Sequence, residues 1–281
     1  MKRSFFTKTN FVDLIRYTGH IMTSILDDYA LNSPLREKNN WLKIAITSFG
    51  IVVGVSSNSP VTPFVIALCM GIATIRFSKV PASFYFKILA APAGFVLISV
   101  AIIAFFSGNG SEVFGFDLWG HRLGVSTGGL NMALVVLART ISGMSCLFFL
   151  SLSTPMIELF SVLKATRFPD SFIEIAMMMY RYIFVFMEVA MGIKYAQTVR
   201  LGYKDFRTSF RSVGMLGTSL FIRAWEQGEK LYVSMNSRCY DGRFMLIEEN
   251  RPVKRSEVVL TSAYFILVLV VFYSTRNILL I

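Results

Sequence analysis

Residues 195–244 read YAQTVRLGYKDFRTSFRSVGMLGTSLFIRAWEQGEKLYVSMNSRCYDGRF. The segment carries Arg200, Lys204, Arg207, Arg211, Arg223, Lys230, Arg238 and Arg243, and strongly apolar sequence brackets it. Near each end an arginine stands among small or uncharged residues, in AQTVRLG around Arg200 and in MNSRCYDG around Arg238. The side of a membrane on which this segment lies decides the topology of the whole chain.

That a membrane is involved follows from composition. The 281 residues are 54% hydrophobic and 16% charged, with a mean hydropathy of +0.57, whereas soluble domains carry about 25% charged residues. The excess is concentrated in runs long enough to cross a bilayer, at about 41–57, 61–75, 84–106, 130–151 and 258–273. Asn58-Ser59-Pro60 is read as a tight turn after the first run, and Arg76, Lys79 and Lys87 as a basic loop after the second. The third run exits into SGNGSEVFGFDLWGHRLGVSTGG, which is rich in glycine and poor in positive charge. Lys and Arg mark the cytoplasmic side of a membrane protein. The net charge of +11 is therefore read loop by loop, as a topology signal and not as a nucleic-acid surface.

Parity now places the central segment. DSFIEIAMMMYRYIFVFMEVAMGIKYAQ, residues 170–197, is long enough to cross. If it did, the basic stretch that follows, continuing through Arg251, Lys254 and Arg255, would be exported against the positive-inside rule. The run also carries Glu174, Arg181 and Glu188 at seven-residue spacing, one narrow polar stripe drifting about 20° per step. Such a stripe suits a helix packed against other helices at the membrane face. A helix from 170 to 200 reaches about 45 Å at 1.5 Å per residue. A second long helix is expected over 206–240. In it Glu226 and Lys230 stand in the favourable i, i+4 order, and Leu220, Trp225, Leu231 and Val233 supply apolar contacts. A shorter one, about 155–166, begins at Thr154-Pro155 and ends at Phe168-Pro169.

The expected architecture is thus all-α. A basic cytoplasmic segment, 1–40, contains Lys2, Arg3, Lys8, Arg16 and a helix start at Ser33-Pro34. Four spans follow in 41–152, then a cytoplasmic domain of three helices in 153–256, and a last span in 257–281. The amino terminus would be cytoplasmic and the carboxyl terminus outside.

Few residues point to chemistry. His20 and His121 are the only histidines, and Cys69, Cys146 and Cys239 are scattered, so neither a metal-ligand spacing nor a disulfide framework is present. The sequence holds no P-loop glycine pattern and no Ser/His or paired-carboxylate arrangement. Arg139 within the fourth run is either functional or snorkels to the outer interface. Met177, Met178, Met179, Met187 and Met191 offer an adaptable apolar surface for sliding or for ordinary packing. Arg200 and Arg238 can cap helix carbonyls, meet lipid phosphate or reach an acidic pocket on another protein.

LDDYALNSPLR before the first run, STPMIELFSVL after the fourth, then MMMYRYIFVFMEV, AQTVRLG and MNSRCYDGR form an ordered set. In that order they resemble the transmembrane (T) components of energy-coupling-factor transporters, of the CbiQ/NikQ type of cobalt and nickel uptake systems. The resemblance covers roughly residues 26–244. It implies a non-catalytic membrane subunit with a coupling domain whose two long helices each end in an X-Arg-X signature that docks on an ATP-binding-cassette subunit. Those signatures fall on Val199-Arg200-Leu201 and Ser237-Arg238-Cys239, with Ala196, Gln197, Gly202 and Met235 beside them. Val199, Leu201 and Cys239 depart from the small flanks of the family's usual Ala-Arg-Gly. The resemblance further implies a CbiO-like ATPase dimer carrying the ATP and magnesium, a CbiM-like substrate-binding component, a small CbiN-like partner and a prokaryotic cell membrane. No cofactor is implied in this chain. Two competing classes remain at this point, a stand-alone permease or channel and a membrane scaffold without a transport role.

Overall fold

A computed structural model describes residues 27, 29–106, 112–118, 121–166, 168–242 and 253–275. The N-terminal basic residues Lys2, Arg3, Lys8 and Arg16 lie outside these, as do His20, Arg167, Arg243 and Arg251. After a 3₁₀ turn at Pro34–Glu37, the helices are α1 (Asn40–Ser56), α2 (Val61–Phe77), α3 (Ala82–Ala90), α4 (Ala93–Phe106), α5 (Thr127–Ser153), α6 (Met156–Ala165), α7 (Asp170–Val199), α8 (Phe206–Asn236) and α9 (Arg255–Thr275). The protein is a helical membrane protein with one addition. Within the glycine-rich exit, strand β1 (Glu112–Leu118) pairs antiparallel with β2 (His121–Ser126), where a loop was expected.

Local sequence explains the boundaries. The Ser33 hydroxyl accepts from the Leu35 amide at 3.3 Å and opens the 3₁₀ turn ahead of Pro34. Asn39 caps α1 by accepting from the Trp41 amide at 2.9 Å. The run expected as one span over 84–106 is broken. Pro92 has no amide hydrogen to give, and the two halves, α3 and α4, meet at 50°. Among the described residues, α5 (27 residues) and α9 (21 residues) are long and apolar enough to cross a membrane alone, and α3 with α4 qualifies if taken as one bent span. The apolar helices α1 and α2 have 17 residues each. That is about 25 Å, close to the lower end of what spans a hydrocarbon core of about 30 Å.

The chain divides into two compact units. Residues 1–159 with 249–281 form one, and 160–248 form the other. In the first, α5 is the central helix, packed against α1, α2 and α4. Its core joins Ile66, Met70, Cys146, Phe149 and Val268. Lipid offers no hydrophobic drive between helices, so close approach through small residues takes over. Gly50 and Gly54 of α1 are four apart and provide it. A Cβ on Gly50 would stand 2.8 Å from the Tyr264 hydroxyl, and one on Gly54 would stand 3.0 Å from the Ser142 hydroxyl.

Two cations tie α1 to α5 at opposite ends. Lys43, near the start of α1, is buried and donates to the Ser153 carbonyl at the end of α5, 3.3 Å away. Arg139, within α5, donates to the Ser57 carbonyl at the end of α1 from both Nε (3.1 Å) and Nη2 (2.7 Å). Each cation thus sits at the negative end of the other helix's dipole. Arg139 makes this cap, and Lys43, not singled out in the sequence, is its counterpart. The unit is closed at one end by the Arg36–Glu158 ion pair at 3.0 Å, the Asn40–Glu158 hydrogen bond at 2.9 Å and the Lys38–Glu257 ion pair at 3.0 Å.

Replacing Lys43 or Arg139 by Met should lower stability by about 1.5–3 kcal/mol each, the worth of a hydrogen bond to a charged group. Arg139→Lys should recover part of the loss, because one ammonium cannot reproduce the two-pronged contact. Denaturation midpoints in mild detergent test this, and two Met variants within about 0.5 kcal/mol of the parent would show that the caps stabilise nothing.

Candidate functional site

The second unit is built on the long helices α7 and α8, joined by residues 200–205. Pro169 stands before the first turn of α7, where its missing amide hydrogen is not needed. In the joining turn, the Thr208 hydroxyl accepts from the Asp205 amide at 3.0 Å and helps start α8. The helices run antiparallel. The Gln197 side chain donates to the Ser212 carbonyl at 3.0 Å, Gln227 approaches the Tyr182 hydroxyl at 3.5 Å, and the Tyr240 hydroxyl donates to Glu174 at 2.5 Å. Arg200 therefore stands at the joining turn and Arg238 at the far end of the pair, about 45 Å away by the rise of a 30-residue helix.

The two arginine-bearing ends share one backbone geometry. After α7, the Gly202 amide donates back to the Gln197 carbonyl at 2.8 Å and the Leu201 amide to the Thr198 carbonyl at 3.1 Å. After α8, the Tyr240 amide donates to the Met235 carbonyl and the Cys239 amide to the Asn236 carbonyl, both at 3.1 Å. These are the 6→1 and 5→2 bonds of a Schellman cap. In each, the arginine is the last residue before a left-handed one, Leu201 at φ 59° and Cys239 at φ 56°. Glycine is the usual occupant of that position. Two of the departures noted in the sequence, Leu201 and Cys239, are therefore side chains held in the glycine conformation. Among the described residues, Lys79 is the one other non-glycine residue with positive φ.

Both arginine side chains are exposed, with no hydrogen bond or ion pair to any described residue. Val199, Leu201, Ser237 and Cys239 are also exposed, while Gln197 and Met235 are partly buried. Each cap is braced against the opposite helix. At the first, the Ser212 hydroxyl donates to the Gly202 carbonyl at 2.7 Å and the Tyr203 hydroxyl to the Gln197 side chain at 2.7 Å. A Cβ on Gly202 would meet the Ser212 hydroxyl at 2.7 Å and the Gln197 carbonyl at 2.9 Å, so this glycine is required by space. At the second, Tyr240 reaches across to Glu174, which is 7% exposed. The Glu174 carboxylate that receives its proton pushes the Tyr240 phenol up to about 12. Ser212, Tyr203 and Tyr240 were not singled out in the sequence.

Other expectations for these helices are revised. Of the polar stripe, Glu174 is buried in a contact, but Arg181 and Glu188 are exposed. Glu226 and Lys230 form no ion pair, and the Trp225 indole instead donates to Glu229 at 2.8 Å. Trp225 and Val233 do not pack inward. They are 64% and 63% exposed. Phe206, Phe210, Val213, Phe221, Trp225 and Tyr232, at steps of 4, 3, 8, 4 and 7 residues, fall on one face and form an exposed apolar stripe along α8. Gly214, Gly217 and Gly228 fall on the same side with nothing within 4 Å of a built Cβ. Among the described residues, no group of three or more His, Cys, Asp or Glu comes together.

Residues 32–248, which include both caps, match the family described as CbiQ, cobalt transport protein. A putative fused cobalt transport protein CbiMQ of Methanocorpusculum labreanum is 42% identical over 230 residues, 82% of this chain and 38% of that protein. The chain thus spans well under half the length of this fused relative. An uncharacterized protein of Methanocaldococcus jannaschii is 33% identical over 261 residues, covering 92% of this chain and 96% of the other. The energy-coupling factor transporter transmembrane protein EcfT of Limosilactobacillus fermentum is 27% identical over 255 residues, 84% of this chain and 93% of that one.

Gly202→Ala should weaken the first cap by about 1–3 kcal/mol, the cost of forcing a close contact, and raise protease sensitivity at the α7–α8 turn. At the second cap the folded-state pKa of Tyr240 lies above its unfolded value of about 10. The Tyr240–Glu174 contact therefore stabilises fully below pH 10 and is lost as pH rises through about 12. Ultraviolet titration of the parent against Tyr240→Phe should isolate one late-ionising tyrosine, and Glu174→Gln should return that step toward 10. A difference spectrum already complete at pH 10 would contradict the contact.

Proposed function

The chain belongs to the CbiQ family of cobalt transport proteins, and from that premise we propose that it couples ATP hydrolysis in partner subunits to metal-ion import. It acts as the T component of an energy-coupling-factor transporter. The observation that carries this reading is the pair of matching caps, each presenting an exposed arginine with no partner among the described residues at one end of the α7–α8 hairpin. A dimer of ATPases offers two similar grooves, and one coupling chain must fill both. Two arginines on the same backbone geometry suit that task, each giving charge-assisted hydrogen bonds to acidic groove residues.

Arg200 and Arg238 are the docking groups. Val199, Leu201, Ser237 and Cys239 flank them, and Ala196, Gln197, Gly202 and Met235 form the cap behind. The ATPases are CbiO-like and hold the ATP and magnesium, and this chain performs no chemistry of its own. A separate CbiM-like component, with a small CbiN-like subunit, binds cobalt or nickel, and the exposed apolar stripe of α8 is available to meet it. The fused CbiMQ relative supports an intimate association with such a component. The amino terminus and the coupling helices face the cytoplasm and the carboxyl terminus faces outward, in agreement with the placement of Lys and Arg.

Arg200→Ala and Arg238→Ala should each weaken ATPase association by about 2–5 kcal/mol if the arginine pairs with a buried carboxylate, and Lys should rescue only in part. Co-purification in mild detergent and uptake of cobalt and nickel by cells carrying the complete system are the measurements. Undiminished association and uptake in the double alanine variant would refute the docking role.

A further inference from the structure

A trough of about 580 Å³ runs along the membrane unit between α1, α2 and α9. Its mouth is polar, with Lys38, Asn39 and Glu257. Its floor is apolar and includes Leu42, Ile46 and Met70. Lys43, Thr261 and Tyr264 also line it, so away from the mouth the lining is mostly, not wholly, apolar. From Glu257 to Leu267 the trough follows ten residues of α9, about 15 Å, which is half of a hydrocarbon core of about 30 Å. That is the depth of a single leaflet. Its rim residues Phe77, Leu260 and Leu267 are exposed, so it opens sideways, toward lipid.

The mouth is charged but not self-contained. Lys38 engages one oxygen of Glu257 at 3.0 Å. The other, Oε2, is buried with no hydrogen-bond partner among the described residues, on a side chain 10% exposed. Lys254 and Arg255 are exposed just before Glu257. A ligand that fits this end brings an anionic group for the lysines and a donor, a hydroxyl or an ammonium, for Glu257 Oε2. At the other end it brings a flexible apolar chain.

We propose that this trough holds one membrane phospholipid, its chain against α1, α2 and α9 and its headgroup at the Lys38–Glu257 mouth. The site is separate from the arginine caps, and it holds whether or not those caps dock an ATPase. Phosphatidylglycerol and phosphatidylethanolamine supply both phosphate and donor. Phosphatidylcholine supplies phosphate but no donor, which makes it the discriminating probe.

The full chain, purified in mild detergent, is titrated with each of the three lipids and read by native mass spectrometry. One phosphatidylglycerol or phosphatidylethanolamine should bind per chain at least tenfold more tightly than phosphatidylcholine. Ala73→Phe, which fills the trough without touching the mouth, should weaken this at least tenfold. Val259→Phe, on an exposed face of α9 outside the trough, should not. Cys69 lines the same trough and gives a second reading on the parent protein. Its alkylation by N-ethylmaleimide, located by peptide mapping, should slow on adding phosphatidylglycerol, while that of exposed Cys239 should not. No stoichiometric lipid, equal binding of the three lipids, or unchanged Cys69 labelling each overturns the proposal. Protection of Cys69 by a co-purifying subunit in delipidated protein also overturns it, since the trough would then be a protein interface.

Discussion

The membrane unit depends on a mutual constraint between two antiparallel helices. Lys43 of α1 closes the end of α5, and Arg139 of α5 closes the end of α1. A helix that ends in an apolar medium leaves carbonyls without donors, at a cost of several kcal/mol each. A cation in the same medium is costly too. Pairing one liability with the other removes both. In each case the cation stands 14 residues from the terminus of its own helix that the other cation caps, about 21 Å along the axis. The register between α1 and α5 is fixed at two well-separated points, and a slip of one turn would orphan both. The glycines at 50 and 54 can bring α1 this close because the ends are locked.

The second unit solves a different problem with comparable means. Its helices lie outside the set long and apolar enough to span, and much of α8 is exposed. Its order comes from length, a short joining turn and three cross-helix contacts at the two ends and near the middle. The arginines owe their display to backbone geometry. The residue after each one turns left-handed, which ends the helix, and the arginine side chain is exposed. That Leu201 and Cys239 adopt this geometry without being glycine costs about 1 kcal/mol or more apiece. Unusual backbone of this kind persists where the surroundings over-determine it, here through Gly202 with Ser212 and Tyr240 with Glu174.

Much of this was legible in the sequence. Apolar runs located the apolar helices, proline signals at Ser33-Pro34 and Thr154-Pro155 located the starts of the 3₁₀ turn and of α6, and Phe168-Pro169 marked where α6 stops, while charge placement argued against α7 as a span. The two arginines stood out by their small or uncharged neighbours. What escaped was whatever depends on a partner far away in the chain. Lys43 reads as an ordinary charge in a short apolar run, and its role exists only once Ser153 is alongside. Ser212, Tyr203 and Tyr240 are unremarkable until the helices fold back. The bend between α3 and α4 falls at Pro92, inside a run whose apolarity alone reads as one span. The β1–β2 hairpin escaped because glycine-rich sequence reads as loop. On α8, periodic apolar residues read as packed, whereas Trp225 and Val233 face outward. Periodicity marks a face and is silent about what covers it.

The bracing of each cap on the opposite helix has a mechanical consequence. Gln197 and Gly202 at the end of α7 hold on to α8, and Tyr240 just past the end of α8 holds on to α7. Two rods joined by a covalent turn at one end and by a hydrogen bond at the other make a closed frame. Force applied to either tip is shared by both members. The hairpin therefore behaves as one stiff truss with a handle at each end, and a displacement that begins at one arginine is felt at the other.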